Sequence, residues 1–219
     1  MSFTKQLIKE LVSTRCITGS EPKKLNPISS IECESITSLI QKSKSKGIGS
    51  FYSNNSDYRV FRMKEYKSEF PELWQLINEH LPDNWFIGPI MGAHLTSTPD
   101  SIGSGEGWHR DSWFGQKKII IYLNDVTNKN GPFQYIPGTS QLKYKLLRVA
   151  EGKSDRIADN EINANKIVTL TGKAGTSYLF DGTMVHRGKP PVGGERFAVT
   201  AYLYSGCYSE DKIRKYFNI

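Results

Sequence analysis

The chain has 219 residues, 37% of them hydrophobic and 23% charged, with 19 Gly, 10 Pro, 10 Phe, 4 Trp and 11 Tyr. This is an ordinary globular composition, long enough for one domain with a real core and too apolar for extended disorder. The formal charge of +7 comes from scattered rather than clustered Lys and Arg, which reads as a solvated basic surface favouring anionic small partners and gives nucleic acid no basic stripe to follow.

Phe3, Leu7, Ile8, Leu11 and Val12 recur at helical spacing and predict a short amphipathic helix ending before Thr18-Gly19-Ser20. Charges such as Glu10 interrupt it, unlike the apolar core of a signal peptide. No window of the chain approaches the ~20 apolar residues of a membrane helix. Cys16, Cys33 and Cys207 form no CxxC pair, so neither a disulfide framework nor a zinc ribbon is indicated. A soluble protein of the reducing cytoplasm is expected.

Ser29-Ser30-Ile31-Glu32 has capping-box character and opens a second helix running to about Lys46, where Gly47 and Gly49 stop it. Residues 51–70 interleave aromatics and bases. Tyr58-Arg59-Val60-Phe61-Arg62-Met63 alternates as a strand, and we expect it at the mouth of a pocket rather than as a surface for stacked bases. Pro71 starts a helix with Leu73, Leu76, Ile77 and Leu81 on one side, which makes His80 a structural residue.

From Trp85 the period changes from 3.6 to 2. WFIGPIMGAHLTS, KIIIYLNDV, FQYIPG, KIVTLT, SYLFDG, MVHRG and RFAVTAYLY are all strand candidates, separated by Pro, Gly and Asn. Helices followed by a run of strands predict a mainly β barrel or sandwich with helices packed on one outer face. We expect a single domain: residues 1–84 as helical and strand support, 85–205 as the β core, and 206–219 as a tail or short helix. The loop 96–107, rich in Ser and Gly, and the charged segment 148–164 are candidate lids.

The chemistry centres on Trp108-His109-Arg110-Asp111. In an extended segment His109 and Asp111 share one face and can hold one metal ion, while Arg110 points away. Among His80, His94, His109 and His186, the best third ligand is His186, on an extended run bounded by Gly182 and Gly188. Two histidines and one carboxylate leave open positions on a non-haem Fe(II). A structural zinc would want four protein ligands, and no cysteine lies nearby in sequence. Arg196 follows after a Pro- and Gly-rich turn, and its guanidinium fork suits the far carboxylate of a dicarboxylate co-substrate.

WHRD, then YLNDVTNKNGPFQYIPGTS, then VHRGKPPVGGER resembles the phytanoyl-CoA dioxygenase family of Fe(II)/2-oxoglutarate-dependent oxygenases, over about residues 85–205. The resemblance implies a double-stranded β-helix, or jelly-roll, core. It also implies His109, Asp111 and His186 as iron ligands, Arg196 on the C5 carboxylate of 2-oxoglutarate, and O2 as oxidant. The implied reaction couples hydroxylation to decarboxylation of 2-oxoglutarate to succinate. Related halogenases carry a small residue where Asp111 stands, so hydroxylation is the expected outcome. Many relatives have Ser or Thr two residues after the distal histidine, where this chain has Gly188, so another polar group must compensate.

Strand parity puts Lys118, Ile120 and Tyr122 toward the pocket if Ile119, Ile121 and Leu123 pack under the helices. Tyr122, Thr200 and His94 are therefore candidates for holding 2-oxoglutarate, and Trp108, Trp113 and Phe114 for touching substrate. The expected substrate is a small metabolite, and the basic charge favours an anionic one. The alternatives are an oxygenase acting on nucleic acid or protein, and a non-catalytic jelly-roll sensor of metal or ligand.

Overall fold

The computed structural model describes residues 21–61, 67–152 and 155–217. The helix expected from Phe3 to Val12 lies outside the described residues, as do Arg62 and Met63 of the expected strand.

Helix α1, Ser30–Ser45, begins where Ser29 Oγ accepts from the Glu32 N–H. The second half of the expected capping box is exchanged with a neighbour. Glu32 caps helix α2, Pro71–Glu79, accepting from the N–H groups of Glu72 at 3.0 Å and Leu73 at 2.6 Å, while Glu72 accepts from the Ser29 N–H. Each helix thus supplies the carboxylate that satisfies the other's first turn. Pro71 sits where a helix needs no donor, and Leu73, Trp74, Leu76 and Ile77 are buried.

Among the described residues there are ten strands: β1 (Lys23–Lys24), β2 (Ser50–Tyr52), β3 (Asp57–Val60), β4 (Trp85–Thr96), β5 (Gln116–Tyr122), β6 (Phe133–Tyr135), β7 (Val168–Leu170), β8 (Ser177–Asp181), β9 (His186–Gly188) and β10 (Glu195–Ser205). The seven strands expected from Trp85 onward are all found, as β4 to β10. The ten form an antiparallel seven-stranded sheet, ordered β1-β8-β5-β10-β4-β3-β2, and a three-stranded sheet ordered β7-β6-β9. This is the expected double-stranded β-helix.

Alternation along β5 and β10 decides what each face does. Ile119, Ile121, Phe197, Val199, Ala201 and Leu203 join Ile36, Ile40, Leu73 and Ile77 of α1 and α2 in one core. Their neighbours Ile120, Tyr122 and Ala198 face the other way and pack with Phe133, Tyr135, Phe180 and Met184. Lys118 and Thr200, on that same face, line a pocket.

Two further helices are found among the described residues, α3 (Leu142–Ala150) and α4 (Glu210–Phe217). α4 is the short C-terminal helix expected as one option. α3 has no counterpart in the sequence expectations: it buries Lys145 and Arg148 while Leu146 and Leu147 are exposed, so no apolar stripe announces it. Arg148, assigned by sequence to a lid, is instead buried and ion-paired with Glu161 at 2.7 Å. Among the described residues, no helix is long and apolar enough to cross a membrane.

Candidate metal centre and co-substrate pocket

His109 and His186 are paired backbone to backbone although far apart in sequence. The His109 N–H donates to the His186 carbonyl at 3.0 Å and its carbonyl receives the reciprocal bond at 2.8 Å. Directly opposed residues of an antiparallel pair project to the same face, and the two imidazoles lie 4.4 Å apart between centroids. Asp111 comes to them because its N–H is held by the Gly182 carbonyl at 3.0 Å. Arg110 points away as expected, donating to the Thr183 carbonyl and stacking between Trp113 and Tyr144.

The ligating atoms of His109, Asp111 and His186 all lie within 4.8 Å of one another. His109 Nδ1 is 2.9 Å from the Gly107 carbonyl and His186 Nδ1 is 3.0 Å from the Met184 carbonyl. A carbonyl can only accept, so each Nδ1 carries the proton and each Nε2 presents its lone pair to the site. Burial pushes His186 down to about 4, which keeps it a neutral donor. Burial would raise Asp111, but the charge of Lys118 beside it outweighs this and holds the carboxyl well below its usual range.

The donor set fits a divalent cation. Asp111 Oδ2 is buried with no aligned hydrogen-bond partner, although Lys118 Nζ stands 2.6 Å away and His186 Nε2 3.1 Å away. Such an oxygen beside two imidazole lone pairs is what a metal ion satisfies.

Arg196, from β10, lines the same pocket and is 4% exposed. One Nη donates to the Gly131 carbonyl in the Asn130-Gly131-Pro132 turn, and Nε has no partner. A buried guanidinium with donors to spare is poised for an anion. Arg59, Met91, Ser104, Lys118 and Thr200 complete much of the wall.

The family model of phytanoyl-CoA dioxygenase (PhyH) matches residues 58–196, spanning the triad and ending on Arg196. The chain belongs to the PhyH family. It is therefore an Fe(II)/2-oxoglutarate-dependent oxygenase, with His109, Asp111 and His186 as the candidate facial triad. An L-proline trans-4-hydroxylase from Streptomyces griseoviridis is 25% identical over 119 residues, 45% of this chain and 44% of that protein; the alignment thus spans under half of that relative's length. HygX from Streptomyces hygroscopicus, solved with nickel and 2-oxoglutarate bound, superposes with a TM-score of 0.61 at 14% identity, covering 92% of this chain and 88% of that one. SnoN, a non-haem α-ketoglutarate-dependent epimerase of nogalamycin biosynthesis, superposes at 0.65 with 12% identity, covering 92% and 84%. At these identities the two structures speak for the fold.

Against the PhyH pattern, Gly188 is the departure that the structure explains. A Cβ on Gly188 would lie 2.6 Å from Ser104 Cβ and 3.0 Å from Arg196 Nη2, and the Gly188 N–H donates to the Ser104 carbonyl at 3.0 Å. Ser104, from the loop before His109, occupies the space a side chain at 188 would fill. The sequence marked that loop only as rich in Ser and Gly.

The remaining candidates divide. Thr200 lines the pocket. Tyr122 has the expected parity but lies between the sheets, its hydroxyl donating to the Leu170 carbonyl and accepting from the Phe133 N–H. His94 is not brought to the pocket. It is in register with Phe197, stacks on that ring at 4.0 Å, and contacts Lys44 of α1 and Glu195. Trp108 is buried with Ile136, Ile157 and Val185 under Arg187, Trp113 stacks on Arg110, and Phe114 stacks on Tyr208. None of these three lines the metal pocket. Arg59 does, in keeping with the strand expected at its mouth.

Proposed function

We propose that this PhyH-family enzyme hydroxylates a small-molecule metabolite, coupled to oxidative decarboxylation of 2-oxoglutarate to succinate and CO2. The observation that carries the reading is that His109, Asp111 and His186, with ligating atoms within 4.8 Å of one another, share one pocket with the buried Arg196, whose Nε has no partner. Bound Fe(II) supplies oxygen activation. His109, Asp111 and His186 hold it on one side and leave the other to co-substrate and O2. Arg196 grips the distal carboxylate of 2-oxoglutarate, and Ser104 and Thr200 contribute hydroxyls to the same wall. Burial keeps both the charge of Arg196 and the neutral His186 away from bulk water, which strengthens each contact they make.

The relative named as an L-proline hydroxylase supports a small substrate and hydroxylation. A pocket lined mostly by buried side chains, with Ser104 and Gly105 of the preceding loop in its wall, favours a small molecule over nucleic acid or a folded protein. The presence of all three ligands and Arg196 favours catalysis over a sensor. Succinate release from 2-oxoglutarate under air, with and without a metabolite panel, tests the reading. Turnover stimulated by a small molecule is expected; binding of metal and 2-oxoglutarate without any succinate formation would overturn it.

A further inference from the structure

We propose that Lys118 is the docking point for a carboxylate on the substrate, so that this enzyme takes a small carboxylic acid. The inference rests on the pocket being an oxygenase site.

Three cationic side chains line the pocket: Arg59, Lys118 and Arg196. Arg59 already has its anion, with Nε at 2.9 Å and Nη2 at 2.6 Å from Asp57 Oδ2, and its guanidinium lies 4.5 Å from the Tyr52 ring centroid. Arg196 is the cation suited to the co-substrate. Lys118 differs from both, because the carboxylate beside it is Asp111, a member of the metal triad. Asp111 brings one negative charge to set against both a divalent ion and Lys118, so the metal-loaded site would hold an excess of positive charge at the buried ammonium. A buried cation without a compensating anion is costly. The ammonium therefore favours a further anion in the loaded pocket.

Position separates this anion from 2-oxoglutarate. Lys118 is in register with Tyr202 on β10, whereas Arg196 lies six residues before Tyr202 on the same strand. At about 3.3 Å per residue the backbones that carry the two cations are roughly 20 Å apart along the sheet. Lys118 and Arg196 therefore serve the two ends of the pocket, with Thr200 and Ala198 between them. The Tyr202 ring lies 4.4 Å from Lys118 Nζ and shields one side of the ammonium. The single ammonium matches one singly charged carboxylate, whereas a phosphate dianion would leave one of its charges buried without a partner.

The test uses the anaerobic Fe(II) and 2-oxoglutarate-loaded enzyme, titrated calorimetrically with short carboxylic acids, each paired with its carboxamide, and with the matching phosphate monoesters. In the wild type, acids from the panel should bind roughly tenfold or more tighter than their amides and than the phosphates. Lys118→Met should bring the acid-to-amide ratio to about one, and Lys118→Arg should restore the preference. Equal binding of acids and amides by the wild type, a preference for phosphates, or a panel in which no acid binds would overturn the assignment, and the wild-type comparison does so whether or not a variant folds. A preference that survives in Lys118→Met would also overturn it, as would a Lys118→Met protein that loses metal affinity while acids and amides weaken equally, since Lys118 would then only support Asp111. Failure of the wild type to bind Fe(II) and 2-oxoglutarate at all would instead overturn the oxygenase reading beneath it.

Discussion

His109 and His186 exchange both backbone hydrogen bonds, at 3.0 and 2.8 Å, so the two imidazoles of the candidate triad are set side by side by the strand ladder itself. The ladder fixes their spacing, and the Gly107 and Met184 carbonyls fix their rotation. Gly105, at φ +81, lies against the first of these rings, where a Cβ would fall 2.0 Å from His109 Cε1. Gly105→Ala is both strained and colliding, and His109 must turn to admit it. We expect metal affinity to fall roughly ten- to hundredfold, as when the partner that orients a ligand is lost. Competition with a metal-sensitive dye measures this, and an unchanged affinity would show that the loop yields rather than the ligand.

Gly188 and Ser104 compete for one space beside Arg196. Gly188→Ser alone should weaken 2-oxoglutarate binding by roughly tenfold, because the new Cβ overlaps Ser104 and crowds the guanidinium. Adding Ser104→Gly vacates the space and should recover most of the loss. A double variant as weak as the single one would argue against the exchange. Binding to the metal-loaded protein by fluorescence or calorimetry reads both.

Acid should destabilise the metal-free protein. Burial lowers His186 from 6.5 to about 4, so between those values the unfolded chain binds a proton that the folded chain refuses. Stability from this group is complete above about pH 6.5 and is lost as pH falls toward about 4. Asp111 is depressed from 3.8, so its contribution is present above that value and disappears at still lower pH. The Tm of the metal-free wild type should drop between about pH 7 and pH 5, with a shallower drop in His186→Gln. A wild-type Tm that is flat or rises toward acid would contradict the sign.

The exchange of carboxylates between α1 and α2 predicts a stability effect far from the pocket. Glu32→Ala leaves the N–H groups of Glu72 and Leu73 without their acceptor. The cost should be about 1–3 kcal/mol, with a smaller loss for Glu32→Gln, which keeps one acceptor oxygen. Denaturant unfolding checks both, and an unaffected Glu32→Ala would show that water replaces the carboxylate.

The strands and the triad are legible in the sequence because their signals are local and periodic. Period 2 along KIIIYLNDV and RFAVTAYLY names the helix-facing and pocket-facing residues, and a histidine two places from a carboxylate reads as one face. What escapes such reading depends on register and on loops. His94 is a pocket candidate by sequence because its strand is right, but its face follows from pairing with Phe197, which no local pattern encodes. Ser104 reaches Gly188 only through the path of a loop whose glycines say that it turns, not where it goes. Helix α3 hides because it buries Lys145 and Arg148 instead of its leucines. Tyr122 shows the middle case, with the face right but the hydroxyl spent between the sheets on Leu170 and Phe133.

The most direct test of the central claim is anaerobic addition of Fe(II) and 2-oxoglutarate, watched for the weak visible charge-transfer band of the chelated metal. The wild type should develop the band and His109→Ala should not. No band in the wild type, or an undiminished band in His109→Ala, would contradict the assignment of His109, Asp111 and His186 as the iron ligands.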